Sequence, residues 1–213
     1  MAIGYNAKGY SRGAVVGYYA YGYTYGAAVG YNAYGYNYGA AVGYGAKGLR
    51  YGAAFGYQAG YNIDTGADRY NVLVGAYSGY QLTTGQGNII LGYKAGEDAT
   101  YSPTTGSYNI LLGYNAWTPA TATSNFLNIG GLIFGIDLAT TTNTISSGNV
   151  GIGTTAPATA LQVAATASST VMIGESGKTG CLIVADSDGS GVTYVTFNDG
   201  AMTATTTKPA ICQ

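Results

Sequence analysis

The sequence predicts an all-β protein: a parallel β-roll, or solenoid, with 13-residue coils, then a small antiparallel β module, the whole assembled as a homotrimer. Three observations carry this prediction. Gly4, Gly17, Gly30, Gly43 and Gly56 each close a short apolar run, and all four intervals between them are 13 residues. A fixed short period marks a stacked repeat. The 213 residues include 36 Gly and 23 Tyr but only 8 Lys plus Arg and 9 Asp plus Glu. That balance is opposite to the charge-rich, aromatic-poor composition of a disordered chain. Lastly, the later triplets Val72-Leu73-Val74, Ile89-Ile90-Leu91 and Ile110-Leu111-Leu112 are apolar at all three positions.

Each coil reads as two short strands and two turns. In Ala27 to Gly39, Ala27-Ala28-Val29 is one strand, Gly30 lets the chain bend, Ala33 to Tyr36 is a second strand, and Asn37-Tyr38-Gly39 turns back. Strand side chains alternate, so Ala27 and Val29 share one face while Ala28 takes the other. Thirteen extended residues reach at most about 43 Å, which folds into a flat loop with a thin interior. Only small residues fit such a space. The same apolar-Gly signal continues at Gly75, Gly92 and Gly113, giving eight coils, the last three with inserts of 6, 4 and 8 residues. A strand apolar on both faces needs cover on both. One face packs inside its own coil; the other calls for a second copy of the chain.

Stacked coils place equivalent residues above one another. Tyr5, Tyr18, Tyr31, Tyr44, Tyr57, Tyr93 and Tyr114 are expected to form a ladder broken once, at Ala76, with a second ladder through Tyr25, Tyr38 and Tyr51. Other repeat architectures fit less well. Thirteen is no multiple of the hexapeptide period, the first 60 residues hold no Asp for a calcium-binding nonapeptide roll, and glycine does not recur every third residue as in collagen.

Three regions follow: a β-roll head with loop inserts over 1–124, a connector over 125–163, and a small antiparallel β module over 164–213. In the module, Cys181 to Ala185, Val192 to Phe197 and Ala201 to Ala204 read as strands of a meander. Cys181 and Cys212 are the only cysteines, and an oxidising setting would let them bridge, within or between chains. Closing about 30 residues that way is worth roughly 3 to 4 kcal/mol in the chain-entropy account. Two free thiols are the alternative.

The small-apolar-Gly pieces Ala2-Ile3-Gly4, Ala28-Val29-Gly30 and Ala41-Val42-Gly43, with their later counterparts, resemble the heads of trimeric autotransporter adhesins (YadA-like left-handed parallel β-rolls) over residues 1–116. The resemblance implies a homotrimer with one roll face toward a three-fold axis. The 13-residue coil, the Tyr-rich outside and the lack of an anchor barrel depart from that family. Asn125 to Gly135 and Gly148 to Pro157 are similar to linker segments of phage tail fibres and large bacterial surface proteins. Both resemblances imply an extracellular, cell-surface or virion-surface setting.

Enzyme chemistry finds little material. There is no His, which removes the commonest general base. Gly151-Ile152-Gly153-Thr154 lacks the third Gly of a dinucleotide loop, and Gly177-Lys178-Thr179 has Met172 where a phosphate loop needs its first Gly. Asp64, Asp68, Glu97 and Asp98 lie in the inserts and read as solvated loop carboxylates. Asp186-x-Asp188-Gly opens like a calcium loop, but the twelfth position is Phe197 where such a loop wants Glu. A hairpin turn is the simpler reading there, with calcium at Asp186 and Asp188 the lesser one. The chain is therefore expected to be no enzyme and to need no cofactor.

A net charge of -1 with scattered cations gives no footprint for nucleic acid. No apolar run is long enough for a membrane span. The N-terminus opens inside a repeat and lacks the charged and apolar stretches of a signal peptide, so the chain reads as a fragment or a processed product. The inserts, 60–70, 80–87, 96–108 and 116–124, are expected to project from the rod. They carry the candidate contact residues Tyr61, Tyr70, Tyr80, Tyr101 and Trp117 for a surface receptor or glycan. The expected function is that of a homotrimeric adhesin or tail-fibre segment. The alternative is a subunit of a self-assembling extracellular filament without a specific ligand, joined end to end through the open edge at Ala2-Ile3-Gly4.

Overall fold

A computed structural model describes residues 1–64, 70–139, 148–164, 181–185, 191–198 and 201–209. The chain divides into two compact units, Met1–Thr166 and Ala167–Gln213. All described regular structure is β.

The first unit winds as the sequence predicts. Its early coils alternate between two sheets through β1 (Ala2–Ile3), β2 (Lys8–Gly9), β3 (Ala14–Val16), β4 (Tyr21–Gly22), β5 (Ala27–Val29), β6 (Tyr34–Gly35), β7 (Ala40–Val42), β8 (Lys47–Gly48) and β9 (Ala53–Phe55). The longer coils add β10 (Val72–Val74), β11 (Ile89–Leu91), β12 (Ile110–Leu112) and β13 (Leu127–Ile129). β14 (Ile133–Gly135), β15 (Val150–Ile152) and β16 (Leu161–Val163) complete the unit. The main sheet runs β1-β3-β5-β7-β9-β10-β11-β12-β13-β14-β15-β16, and the second sheet runs β2-β4-β6-β8.

Pairing is parallel and in register from β1 to β13, so Val16, Val29, Val42 and Phe55 lie directly above one another. At about 4.8 Å per strand the parallel stack spans roughly 38 Å. It ends where Gly130 and Gly131, at φ +61° and +71°, reverse the chain and make β14 antiparallel to β13. The segment read as a connector thus carries four strands of the main sheet. Beyond it, the second unit holds β17 (Cys181–Ala185), β18 (Val192–Asn198) and β19 (Ala201–Thr205) as an antiparallel meander in that order.

The interior is a set of single-residue columns. The middle residue of each main strand points inward, giving Val15, Ala28, Ala41, Ala54, Leu73, Ile90, Leu111 and Asn128, all buried. A second column, Ala20, Ala33, Ala46, Ala59, Ser78, Ala95 and Ala116, faces it. Ser78 is the polar exception, and its hydroxyl donates to the Ile90 carbonyl at 2.8 Å. In the 13-residue coils the two sheets almost touch: a Cβ on Gly48 would lie 1.9 Å from the Ala40 oxygen.

Each insert also sends a residue inward, while Tyr70, Asp98 and Tyr101 stay exposed as expected. Ile63, Leu82, Ser102 and Thr118 are buried, and the second sheet stops at β8 as the coil widens. The extra room admits Leu73, Ile90 and Leu111 where the thin coils hold Ala28, Ala41 and Ala54. It also admits a buried asparagine column, Asn71, Asn88 and Asn109, at the rung that glycine occupies in the thin coils. Asn71 Nδ2 donates to the Gly85 carbonyl at 3.0 Å and Asn88 Nδ2 to Gly106 at 3.0 Å. The Asn88 and Asn109 amides donate to the side-chain oxygens of Asn71 and Asn88 at 2.8 and 2.9 Å. The Phe126 amide ends the series on Asn109 Oδ1 at 3.1 Å. A widened parallel coil exposes backbone groups that no second strand can meet, and the asparagines meet them.

Candidate ligand-contact surface

The tyrosine ladders are built by register and held at the corners. Tyr5, Tyr18, Tyr31, Tyr44 and Tyr57 stack with centroids 5.0 to 5.1 Å apart. At Ala76 the neighbouring Tyr77 fills the expected gap edge-on, 5.2 Å from Tyr57 and 6.3 Å from Tyr93, and Tyr93 then stacks on Tyr114 at 5.7 Å. The second ladder extends one rung beyond expectation, through Tyr25, Tyr38, Tyr51 and Tyr70. Its four tyrosines sit at φ between +46° and +67°, a conformation that costs a non-glycine residue about 1 kcal/mol or more. Stacking of about 0.5 to 1.5 kcal/mol per pair offsets that cost. Two further ladders, Tyr10-Tyr23-Tyr36 and Tyr21-Tyr34, cover the second sheet. The sequence reading missed these two, although the 13-residue spacing marks them equally.

Face-to-face stacking has a consequence for binding. It uses up the ring faces and turns edges and hydroxyls outward, so an unbroken ladder gives a ligand no aromatic platform. Platforms exist only where a ladder ends or an insert intervenes.

Burial, together with the phenols of Tyr23 and Tyr34, pushes Tyr36 from its ordinary 10.0 up to about 12. Burial raises Tyr23 and Tyr34 as well. An unfolded tyrosine ionises first, so Tyr36 contributes stability that is full below pH 10 and lost as pH rises to about 12. Circular dichroism during alkaline titration is expected to show unfolding in that window. Tyr36→Phe, which removes the titrating group, should make the loss shallower; an unchanged profile would contradict the linkage.

The candidate contact residues separate into three settings. Tyr70 belongs to a ladder. Tyr61 stacks on Tyr80 at 5.5 Å, with the Lys47 ammonium 5.3 Å over the Tyr61 ring. Tyr101 and Trp117 come together, centroids 6.2 Å apart at 62°. With Asp98 and Asn115 they line an open cleft of about 310 Å³. Trp117 rests against Phe134 at 5.9 Å, and its carbonyl accepts from Asn128 Nδ2 at 2.8 Å. The Tyr101 carbonyl accepts from the Thr118 amide at 2.8 Å, tying the two inserts together. Asp98 Oδ1 accepts from the Thr100 and Tyr101 amides at 2.7 and 2.9 Å, and these bonds hold its carboxyl below the usual carboxylate range. The result is an ionised acceptor and an amide beside two crossed aromatic rings.

No family model, curated protein or solved structure matches the chain. Of the resemblance read from the sequence, the structure shows the parallel β-solenoid with its 13-residue coils.

A second cleft, of about 420 Å³, opens on the other sheet between Asn32, Tyr34, Tyr36, Gly45, Lys47, Tyr61 and Asn62. Sequence reasoning overlooked Lys47, yet a signal was present: coil 43–55 departs from its neighbours at Gly45 and Lys47, where the preceding coil has Asn32 and Tyr34. Cys181 lies in β17 and is disulfide-bonded. Asp186, Asp188 and Cys212 fall outside the described residues, as does Asp68.

Proposed function

We propose that the chain is a structural and adhesive segment of an extracellular fibre, a homotrimer in which the roll supplies reach and the inserts contact a receptor or glycan. One observation carries the assembly. The outward residues of the main sheet are apolar in coil after coil, yet in a single chain they face solvent, with Val29 43% and Phe55 41% exposed. A continuous apolar stripe along a regular sheet marks an association surface. In-register repeats make it self-complementary, since three copies present identical rows to one axis.

The crossed rings of Tyr101 and Trp117, flanked by Asp98 and Asn115, match the chemistry of a neutral sugar. Aromatic faces take its C–H surface, and the carboxylate and amide take its hydroxyls.

Sedimentation equilibrium of the whole chain tests the assembly. The expected species is three chains, and the paired change Val29→Glu with Val42→Glu is expected to give monomers that keep their β spectrum. A wild-type monomer at micromolar concentration would overturn the trimer. Glycan-array binding lost in Trp117→Ala is the expected result for the cleft. Electron micrographs of long uniform filaments in place of short discrete particles would favour the ligand-free filament.

A further inference from the structure

We infer that the Lys47 cleft is a second, chemically distinct site that takes the carboxylate of an acidic saccharide. Three interruptions of the repeat coincide there. At the first corner the rungs Asn6, Tyr19, Asn32 and Gln58 all carry side chains, but Gly45 carries none. On the second sheet Lys47 pairs with Tyr34 in register and ends the Tyr21-Tyr34 ladder. Tyr36 is the last ring of the Tyr10-Tyr23-Tyr36 ladder, because the next rung is the buried Leu49. The Tyr34 and Tyr36 rings, 6.0 Å apart and within 6° of parallel, are thus the last of their ladders, and Lys47 and Leu49 take the next rungs.

The polar groups converge on the same space. Lys47 is half-buried, with its ammonium over the Tyr61 ring and, among the described residues, no carboxylate in ion-pair range. Burial accordingly lowers its pKa. A half-buried cation beside an open polar cleft is completed by an anion. Tyr34 donates its hydroxyl to Asn32 Oδ1 at 3.0 Å, which orients the Asn32 amide, and Asn62 adds a second amide. One cation suits one negative charge. The phenols, amides and aromatic rings that line the cleft suit the hydroxyls and C–H surface of the sugar that bears it. Lys8 occupies the same position in the first coil, also over a tyrosine ring, at 5.7 Å from Tyr21, but it is exposed and lines neither of the two clefts. It serves as an internal control.

The inference rests on the chain being a saccharide-contacting surface but not on the trimer or the Trp117 cleft. The test titrates the full chain with an oligogalacturonate, the matching neutral oligogalactose and a sulfated galactose, read by calorimetry and tyrosine fluorescence. The oligogalacturonate is expected to bind at millimolar concentration or better, and Lys47→Met to weaken it at least tenfold while Lys8→Met leaves it unchanged. Gly45→Asn, which keeps a residue type already used at that corner, is expected to fill the cleft and weaken binding with no loss of β spectrum. Equal binding of the neutral sugar by Trp117→Ala, in which the other cleft is disabled, stronger binding of the sulfated one, no uronate binding, or an unaffected Lys47→Met would each overturn the inference. Trp117→Ala separates the two sites, since it should abolish neutral-sugar contact and leave uronate binding intact.

Discussion

Gly43→Ala is expected to destabilise the roll by about 3 kcal/mol or more, seen as an earlier thermal transition in circular dichroism. Gly43 has φ +136°, a region closed to side chains, and a Cβ there would lie 2.2 Å from the Gly56 oxygen of the next coil. The opposing atom is a backbone oxygen and the Cβ is fixed to the backbone, so relief requires the coils to move apart. Each coil touches only its neighbours, and a break at one corner weakens everything stacked through it. Two residues on, Gly45 has φ +62°, and its Cβ would meet nothing closer than 3.4 Å. Gly45→Asn should therefore change stability by less than about 1 kcal/mol, since asparagine tolerates that backbone region. Similar losses at the two sites would show that the corner is not held by close backbone stacking.

Asn88→Ala is the second large effect, expected at about 3 kcal/mol by the same measurement. Asn88 is wholly buried. Its side-chain oxygen accepts from the Asn109 amide at 2.9 Å and from Asn109 Nδ2 at 3.0 Å, while its own Nδ2 donates to Gly106. Alanine would leave buried donors and an acceptor without partners and open a void between coils. Gln86, a half-buried residue two positions earlier whose side chain donates to the exposed Tyr108 hydroxyl at 3.3 Å, is the comparison. Gln86→Ala should cost under about 0.5 kcal/mol. Equal costs for the two changes would mean that the asparagine column does not hold the widened coils.

The different legibility of the two halves of the roll has a physical cause. In the 13-residue coils every rung repeats, so the corner glycines, the inward Ala28 and Ala41, and the Tyr31-Tyr44 stack follow from spacing alone. In the longer coils the inserts hide their own geometry. A buried Leu82 or Thr118 within a loop-like stretch looks in sequence like surface, and the asparagine column has no hydrophobic period to reveal it. Tyr101 and Trp117 were picked out as aromatic candidates, but they are 16 positions apart, and only the folding of two inserts onto each other makes them one cleft.

The sequence by itself determined the winding, the register and the thin core, because a period written in glycine and alanine allows only one stacking of like on like. What the tertiary structure decided was which insert residues turn inward, the joining of β13 to β16 to the main sheet, and the two clefts. Each of those depends on side chains distant in sequence meeting across a widened or interrupted coil, and a repeat pattern carries no information about the places where it stops repeating.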